Sequence, residues 1–326
     1  FGQQRQQQQQ QRAAELYSRS SPVTRLGGPK FPDAKSKHVW LIHWYSSSKE
    51  AQRPSGLEES VEKLASKLKD QGTVKVGAVD CDREKQLCNS KRQQQLPNFE
   101  TVAAGEAVPL FNSETLHSKG LNEQLKILHT HATEALQAQQ HRVHNLRREA
   151  ALPEVMAQAN SAAKWRVCVF VFTDKFESSP VLLALSHMFR GDVSFVEVRG
   201  ANLALGQRFN VKSYPTVLAV CGGSEKATVP YEGAISASSL GKWVSLFEDG
   251  TACKAAKAKA KEAKRTPKTP IPDNEVLSKM RLAQLRSLLS EWGEACTGCL
   301  EKSDFVAKAA ELRVAKKKSS MFGFEL

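Results

Sequence analysis

His38-Val-Trp-Leu-Ile-His-Trp-Tyr45 is an almost unbroken apolar and aromatic run of strand length, the pattern of a strand buried on both faces. Behind it, Gly56 to Lys69 carries Leu57, Val61, Leu64, Ala65 and Leu68 at helical spacing, and Thr73-Val-Lys-Val-Gly-Ala-Val-Asp80 returns to strand. A strand, a helix and a second strand in that order predict a parallel crossover with the first of the two strands central. Upstream, Leu16-Tyr-Ser-Arg-Ser-Ser-Pro-Val-Thr-Arg-Leu26 reads as a further short strand.

Downstream the reading continues with a helix over Asp82 to Gln95, a turn at Leu96-Pro97-Asn98 and a strand at Phe99-Glu-Thr-Val102. A long amphipathic helix begins near Leu121, with Leu121, Leu125, Leu128 and Ala132 in phase. This is the element order of a thioredoxin fold. The Trp40 to Tyr45 strand, the Val74 to Asp80 strand with Cys81-Asp82 behind it, and the Leu-Pro turn resemble the first domain of the smaller protein disulfide isomerases over about 100 residues.

In that family the strand runs into F-Y-A-P-W-C-G-H-C, whereas here Trp44-Tyr45 is followed by Ser46, Ser47, Ser48, Lys49, Glu50, Ala51 and Gln52. Lys49 and Gln52 stand where the two thiols belong. Without a thiolate nucleophile this position is expected to be redox-inactive. Pro97 matches the family's cis-proline, either as a turn residue with structural work only or as a peptide contact. Cys81 and Cys88 flank the expected short helix at a spacing at which several family members carry a non-catalytic bridge. The resemblance thus implies a structural disulfide, against zinc binding or two free thiols.

The pattern repeats after about 120 residues. Trp165-Arg-Val-Cys-Val-Phe-Val-Phe172 is an apolar strand, Pro180 to Phe189 a helix, Val193 to Val198 a strand and Leu203 to Phe209 a helix. Val211-Lys-Ser-Tyr-Pro-Thr-Val-Leu-Ala-Val220 follows as a strand, and a last helix spans Ala237 to Phe247. Tyr214-Pro215-Thr216 before the Val-Leu-Ala-Val run resembles the isomerase family's cis-proline signal more strongly than Pro97 does. Thr173 to Pro180, where thiols would stand, has no cysteine. In that family, thiol-free domains bind unfolded polypeptide or partner proteins, so binding is the expectation for both domains.

Trp292-Gly-Glu-Ala-Cys296-Thr-Gly-Cys299-Leu-Glu-Lys-Ser-Asp304 holds the sequence's single C-x-x-C pair. Leu282, Leu285, Leu288 and Leu289 precede it on one helical face and a helix from Asp304 to Leu312 follows, so the pair sits at a helix-helix junction. From Pro272 to about Lys316 this resembles the C-terminal SAP-like helical domain of the mesencephalic astrocyte-derived neurotrophic factor (ARMET) family, whose signature is W-G-E-x-C-x-G-C-x-E-K-S-D. Cys296 is the candidate attacking thiol and Cys299 the resolving one. The alternative is a disulfide that pins the helix junction. Glu294 and Glu301 disfavour a thiolate there.

With 326 residues, 40% hydrophobic, the chain has room for two or three domains. The expected division is a Gln-rich disordered lead-in (1–16), thioredoxin-like domain 1 (17–136), a helical linker (137–160) and thioredoxin-like domain 2 (161–250). A Lys/Ala/Pro-rich extended linker (251–271), a SAP-like helical domain with the C-x-x-C pair (272–316) and a tail (317–326) complete it. The fold class is thus α/β, two tandem thioredoxin-like domains followed by a small all-α SAP-like helical domain. Gln137 to Glu149, polar nearly all round, is expected to be a solvated helix.

The formal charge of +13 concentrates at Lys254 to Lys268 and Lys316 to Lys318, read as solvated linkers. His129, His131, His141 and His144 read as surface residues rather than metal ligands, and no cofactor or metal motif is found. Cys168, Cys221 and Cys253 stand as three singles, the first two in apolar strand-like runs. Two expected disulfides favour an oxidising compartment. No run of 18 apolar residues is present, hence no expected membrane span, and the opening Phe1 leads to the expectation that a signal peptide is missing. The closing Phe-Glu-Leu326 is only partly like an endoplasmic-reticulum retrieval tail.

Together these readings point to a folding factor of the endoplasmic-reticulum lumen, a chaperone or adaptor rather than a catalyst. Its expected partners are unfolded or partly folded polypeptides, with the lumenal Hsp70 chaperone implied for the C-terminal helical domain by resemblance. The alternatives are a disulfide isomerase or oxidoreductase using Cys296 and Cys299, and a SAP-type nucleic-acid-binding protein; the oxidising compartment argues against the last.

Overall fold

The computed structural model describes residues 16–49, 53–200, 202–265, 270–294, 296 and 299–321. The Gln-rich lead-in up to residue 15, the tail beyond 321 and Gln52 lie outside the described residues. The chain divides into two compact units, residues 1–259 and 260–326.

The first unit contains two five-stranded mixed sheets of the same topology. In the first, β1 (Thr24–Arg25), β2 (Val39–Tyr45), β3 (Val74–Asp80), β4 (Asn98–Ala103) and β5 (Glu106–Asn112) lie in the order β1-β3-β2-β4-β5. β1, β3 and β2 are parallel, with Val39 opposite Val74 and Tyr45 opposite Asp80, while β4 runs antiparallel to β2 with Glu100 opposite Ile42. All seven residues of β2 are buried, as a central strand requires. Helix α1 (Leu57–Gln71) crosses between β2 and β3 and buries Leu57, Val61, Leu64, Ala65 and Leu68. Short α2 (Lys85–Ser90) follows β3, and α3 (Leu121–Gln137) follows β5.

The second sheet repeats the first in the order β6-β8-β7-β9-β10, from β6 (Val143–Leu146), β7 (Val167–Thr173), β8 (Ser194–Arg199), β9 (Thr216–Cys221) and β10 (Ser224–Pro230). Helices α4 (Leu152–Ala162), α5 (Pro180–Met188), α6 (Leu203–Arg208) and α7 (Ala237–Ser245) flank it. Trp40, Ile42, Trp44, Val79 and Val102 form one core beneath the first sheet, and Phe170, Phe172, Val196, Val198 and Val220 form part of another in the second. Each such side chain contributes about 1.5–3 kcal/mol by leaving water.

Three segments differ from the sequence expectation. Val143 to Leu146 is not part of a helical linker but the edge strand β6, parallel to β8. Val143 and Leu146 are buried while His144 and Asn145 between them are not, a four-residue signal that the surrounding polar residues hide. Thr251–Arg265 is helical (α8) rather than extended. Ala and Lys are among the strongest helix formers, and Pro267 and Pro270 come only after Arg265. Third, Cys221 and Cys253 are not single thiols: they form a disulfide that ties the end of β9 to the first turn of α8.

The two halves of this unit pack on each other, with His187 of α5 3.0 Å from Gln139 behind α3. Gly72, the left-handed C-cap of α1 (φ 66°), lies against α7, where an added Cβ would come within 2.8 Å of the Ala237 side chain. Arg190 donates to the carbonyl of Ala34 at 2.6 Å, and Lys37 pairs with Glu248 at 2.6 Å.

In the second unit, α9 (Asn274–Lys279), α10 (Leu282–Glu291) and α11 (Lys302–Met321) enclose a core of Leu277, Leu285, Leu288, Leu289, Phe305, Ala309 and Leu312. Asp273 caps α9 by accepting the Val276 N–H at 3.1 Å.

Candidate functional site

At the C-terminal end of β2, where the family's thiols would follow, three serines close on one carboxylate. Asp82 Oδ2 accepts from Ser46 Oγ at 2.7 Å, from Ser47 Oγ at 3.2 Å and from the Ser48 N–H at 2.8 Å. Ser46 and Ser48 also bond each other through their hydroxyls at 3.1 Å. Burial pushes the Asp82 carboxyl upward, but the hydrogen bonds from Ser48, Ser46 and Ser47 outweigh it and hold the group below its ordinary range. The neighbouring Asp80 Oδ1 accepts the Ser47 and Asp82 N–H groups at 3.3 and 3.1 Å. Lys49 follows on the exposed rim; Gln52 lies outside the described residues.

Cys81 and Cys88 are bonded to each other beside this clasp, their Cα atoms 5.7 Å apart. The Cys81 N–H donates to the Tyr45 carbonyl at 2.8 Å, so the bridge, the clasp and the end of β2 are joined. Trp44 is fully buried and Tyr45 nearly so, which removes Trp44 from any surface groove. Pro97 stands in a cis peptide bond ahead of β4. Behind the clasp, His43 is buried, its Nδ1 2.7 Å from the Tyr17 hydroxyl and its ring stacked on Phe99 at 4.7 Å. Desolvation, then Arg53, drives His43 down to about 3.

The corresponding end of the second sheet is open. β7 and β8 are parallel, so the loops after both leave from one edge. They line a cleft of about 990 Å³ together with the end of β6 and the C-terminal turn of α3. At its floor Glu197, almost wholly buried, accepts from Ser178 Oγ at 2.6 Å and from Arg199 Nη2 at 2.8 Å; Arg199 also donates to the Lys175 carbonyl. Phe176 in the β7 loop is 95% exposed, and Leu203, which opens α6 after β8, is 70% exposed. Tyr214, in a cis bond to Pro215, sits half-buried at the base of this edge with its hydroxyl 3.4 Å from the Gly200 carbonyl.

In the second unit Cys296 and Cys299 are bonded to each other, half-buried against the Leu289 and Phe305 side of the helical core. Asp304 accepts the N–H groups of Leu300 at 2.8 Å and Glu301 at 2.9 Å, and these bonds, Glu301 first, hold its carboxyl below the usual range. Cys296 lines a recess of about 410 Å³ with Arg286, Leu289 and Phe305.

The four histidines do not converge: His131 pairs with Glu134 at 2.9 Å, His141 bonds the Ala138 carbonyl and His144 lies on β6. Among the described residues no group of three His, Cys, Asp or Glu could hold a metal ion, and no helix is long and apolar enough to cross a membrane. The features that sequence reasoning missed are the serine clasp on Asp82, the Phe176 and Leu203 rim, the Glu197 ion pair and the Cys221 to Cys253 bridge. The Ser46-Ser47-Ser48 run was the one visible signal among them, since short hydroxyl residues are suited to bond a nearby carboxylate.

Residues 274–315 match the family described as ARMET, C-terminal. Over 241 residues the chain is 24% identical to a Dictyostelium discoideum protein named "Putative protein disulfide-isomerase", covering 71% of this chain and 54% of that protein. Over 37 residues it is 46% identical to the mesencephalic astrocyte-derived neurotrophic factor homolog of Caenorhabditis elegans, covering 11% of this chain and 22% of that one. The chain thus spans about half the length of the first of these relatives and about a fifth of the second. A crystal structure of ERdj5, form II, superposes with a TM-score of 0.47 at 18% identity, covering 70% of this chain and 30% of that one. The fold is α/β and thioredoxin-like, two mixed sheets with flanking helices, and the helices that follow match the ARMET C-terminal domain.

Proposed function

We propose that this chain is a folding factor of the endoplasmic-reticulum lumen that holds unfolded or partly folded polypeptides without thiol chemistry at its thioredoxin-like sites. The observation that carries this reading is the pair of exposed apolar side chains at the cleft in the second sheet, Phe176, which lines it, and Leu203, which follows the lining residue Asn202. Large apolar side chains held in water beside a concave site suit it to bind apolar stretches of an unfolded chain. In the first sheet Lys49 stands where the attacking thiol would, directly after the serine clasp, and neither a lysine nor a carboxylate bound by hydroxyls offers anything for disulfide exchange. Tyr214 and Pro215 would supply the base of the polypeptide site, and Pro97 would serve as a turn. The C-terminal helices would bring the lumenal Hsp70 chaperone to the held client, and the disulfides agree with an oxidising lumen.

The test is suppression of aggregation of chemically denatured rhodanese by the full chain under non-reducing conditions. The wild type should suppress it at near-stoichiometric ratio, and the double variant Phe176→Ser/Leu203→Ser should need at least fivefold more protein at an unchanged circular dichroism spectrum. Equal activity of the two would sink the reading.

A second reading has one observation in its favour: Cys296 opens onto a recess lined by Arg286, whose guanidinium would favour a thiolate once the bridge is reduced, against Glu294 in the same recess. In that case the chain would be an oxidoreductase with Cys296 attacking and Cys299 resolving. Reactivation of scrambled ribonuclease that is lost in Cys296→Ser would establish it; reactivation equal in the two, or none in either, would leave the pair as a staple.

A further inference from the structure

Helix α8 carries a cationic face with almost no counter-charge. Its fifteen residues hold six Lys or Arg against one Glu, which is +5 of the chain's +13. Lys254, Lys257 and Lys261 recur at i, i+3 and i+7, so they lie on one side of the helix, and Lys259 stands on the other side; all four are exposed. Among the described residues none of the four forms an ion pair. Asp249, just before the helix, is attracted by Lys254 but already accepts the Thr251 N–H at 2.8 Å as a helix cap.

The inner side of the helix is fixed. Cys253 is buried and bonded to Cys221, and the ammonium end of Lys257, one turn on, lies over Gly222, a position with φ 63° where an added Cβ would meet it. Lys254, Lys259 and Lys261 stay exposed. Like charges three and four residues apart repel one another along the helix, so this face gains from neutralisation by an outside anion.

We propose that the exposed lysine-rich surface of α8 is a docking surface for an acidic polypeptide segment. Charge complementarity commits the occupant to a polyanion, and two observations choose a polypeptide among polyanions. Apart from its charged residues α8 consists of Ala, Thr and Cys253, so it has no large apolar side chain to enter a bilayer and no aromatic ring on which bases would stack. The three disulfides belong to an oxidising compartment, where acidic protein segments rather than nucleic acids are encountered. Docking of this kind is steered by long-range charge and weakens steeply with salt.

The experiment is fluorescence anisotropy of a labelled 20-residue glutamate-rich peptide titrated with the full chain at low and at physiological ionic strength. The same is done with Lys254→Gln/Lys257→Gln/Lys259→Gln/Lys261→Gln, and with a control variant in which exposed Lys67, Lys69, Lys126 and Lys212 are changed to Gln. Parallel titrations use a 20-base-pair DNA duplex and phosphatidylserine vesicles. The proposal expects at least tenfold weaker peptide binding for the α8 variant, less than twofold for the control, and an unchanged circular dichroism spectrum in both. Arg at all four α8 positions should restore binding. Equal losses in the two variants, no binding by the wild type, or tighter binding to the duplex or the vesicles than to the peptide would overturn it.

Discussion

The Asp82 carboxylate lies 2.7 Å from the Ser46 hydroxyl, in the turn that leads to Lys49, the position where the isomerase family carries its first thiol. The same oxygen also receives Ser47 and Ser48, so one half-buried anion ties down the three serines after β2. Replacement by Asn keeps the shape but loses acceptor strength, and replacement by Ala leaves the Ser48 N–H without its partner. Asp82→Ala should cost about 1–3 kcal/mol and Asp82→Asn less, read as the shift in urea midpoint. Because the folded carboxyl is held below its unfolded value, this contribution is present above the unfolded pKa of about 4 and is lost as pH falls through the folded value. In Asp82→Asn the acid limb of the stability curve should lose that component; an unchanged acid limb would contradict the clasp.

Two buried histidines act on the same pH range by a different route. His187, with Nδ1 3.0 Å from Gln139, is lowered to about 4 by burial and then by Arg190 and Arg142; His43 is lowered to about 3. An unfolded histidine titrates near pH 6.5, so below that value the unfolded chain binds protons that the folded chain refuses. Stability should therefore be full above pH 6.5 and fall steadily down to about pH 4, where His187 charges in the folded protein too. His187→Gln should flatten this slope between pH 6.5 and 4 in chemical denaturation, whatever it does to absolute stability at pH 7. A slope identical to wild type would mean that His187 is not held neutral.

Much of the architecture was legible because burial writes itself into sequence. The Trp40 to Tyr45 and Val167 to Phe172 runs are apolar but for His43 since both their sheet faces are covered, and the α1 stripe at Leu57, Val61, Leu64 and Leu68 has helical period. β6 escaped because a short edge strand needs only two buried residues, Val143 and Leu146. The α8 helix escaped because a solvated Lys/Ala segment can be linker or helix on composition alone, and what decides between them is a distant contact. That contact, Cys221 to Cys253, joins residues 32 apart and has no local signature. At the candidate site the sequence located the missing thiols, but the Phe176 and Leu203 rim depends on two parallel strands ending at one edge, which is a property of topology.

The Cys221 to Cys253 bridge makes its own prediction. On the chain-entropy model a loop of this size corresponds to about 3–4 kcal/mol. Cys221→Ala/Cys253→Ala should lower the urea stability of the first unit by roughly that amount under non-reducing conditions, and deuterium exchange should rise in α8 before it rises in β7. A variant that loses stability with no change in α8 exchange would mean that the helix is held by other contacts.

Arg199 supplies the sharpest test of the second sheet's cleft. Its guanidinium is 2.8 Å from Glu197, which is 1% exposed and has the Ser178 hydroxyl at 2.6 Å. Removing one partner of a buried ion pair leaves a charge with little compensation, at a typical cost of about 3–5 kcal/mol, whereas removing both charges together is far milder. Arg199 is itself partly open to solvent, so Arg199→Met should fall at or below the lower end of that range, with Arg199→Met/Glu197→Gln recovering most of the loss. Arg199 also donates to the Lys175 carbonyl, next to Phe176, so the single variant should loosen the loop that carries the exposed ring. Rhodanese protection should then drop in Arg199→Met and stay low in the double variant, because Glu197→Gln restores the charge balance without restoring the bond to the loop. If the double variant regains protection together with stability, the arginine matters to the cleft only through the ion pair.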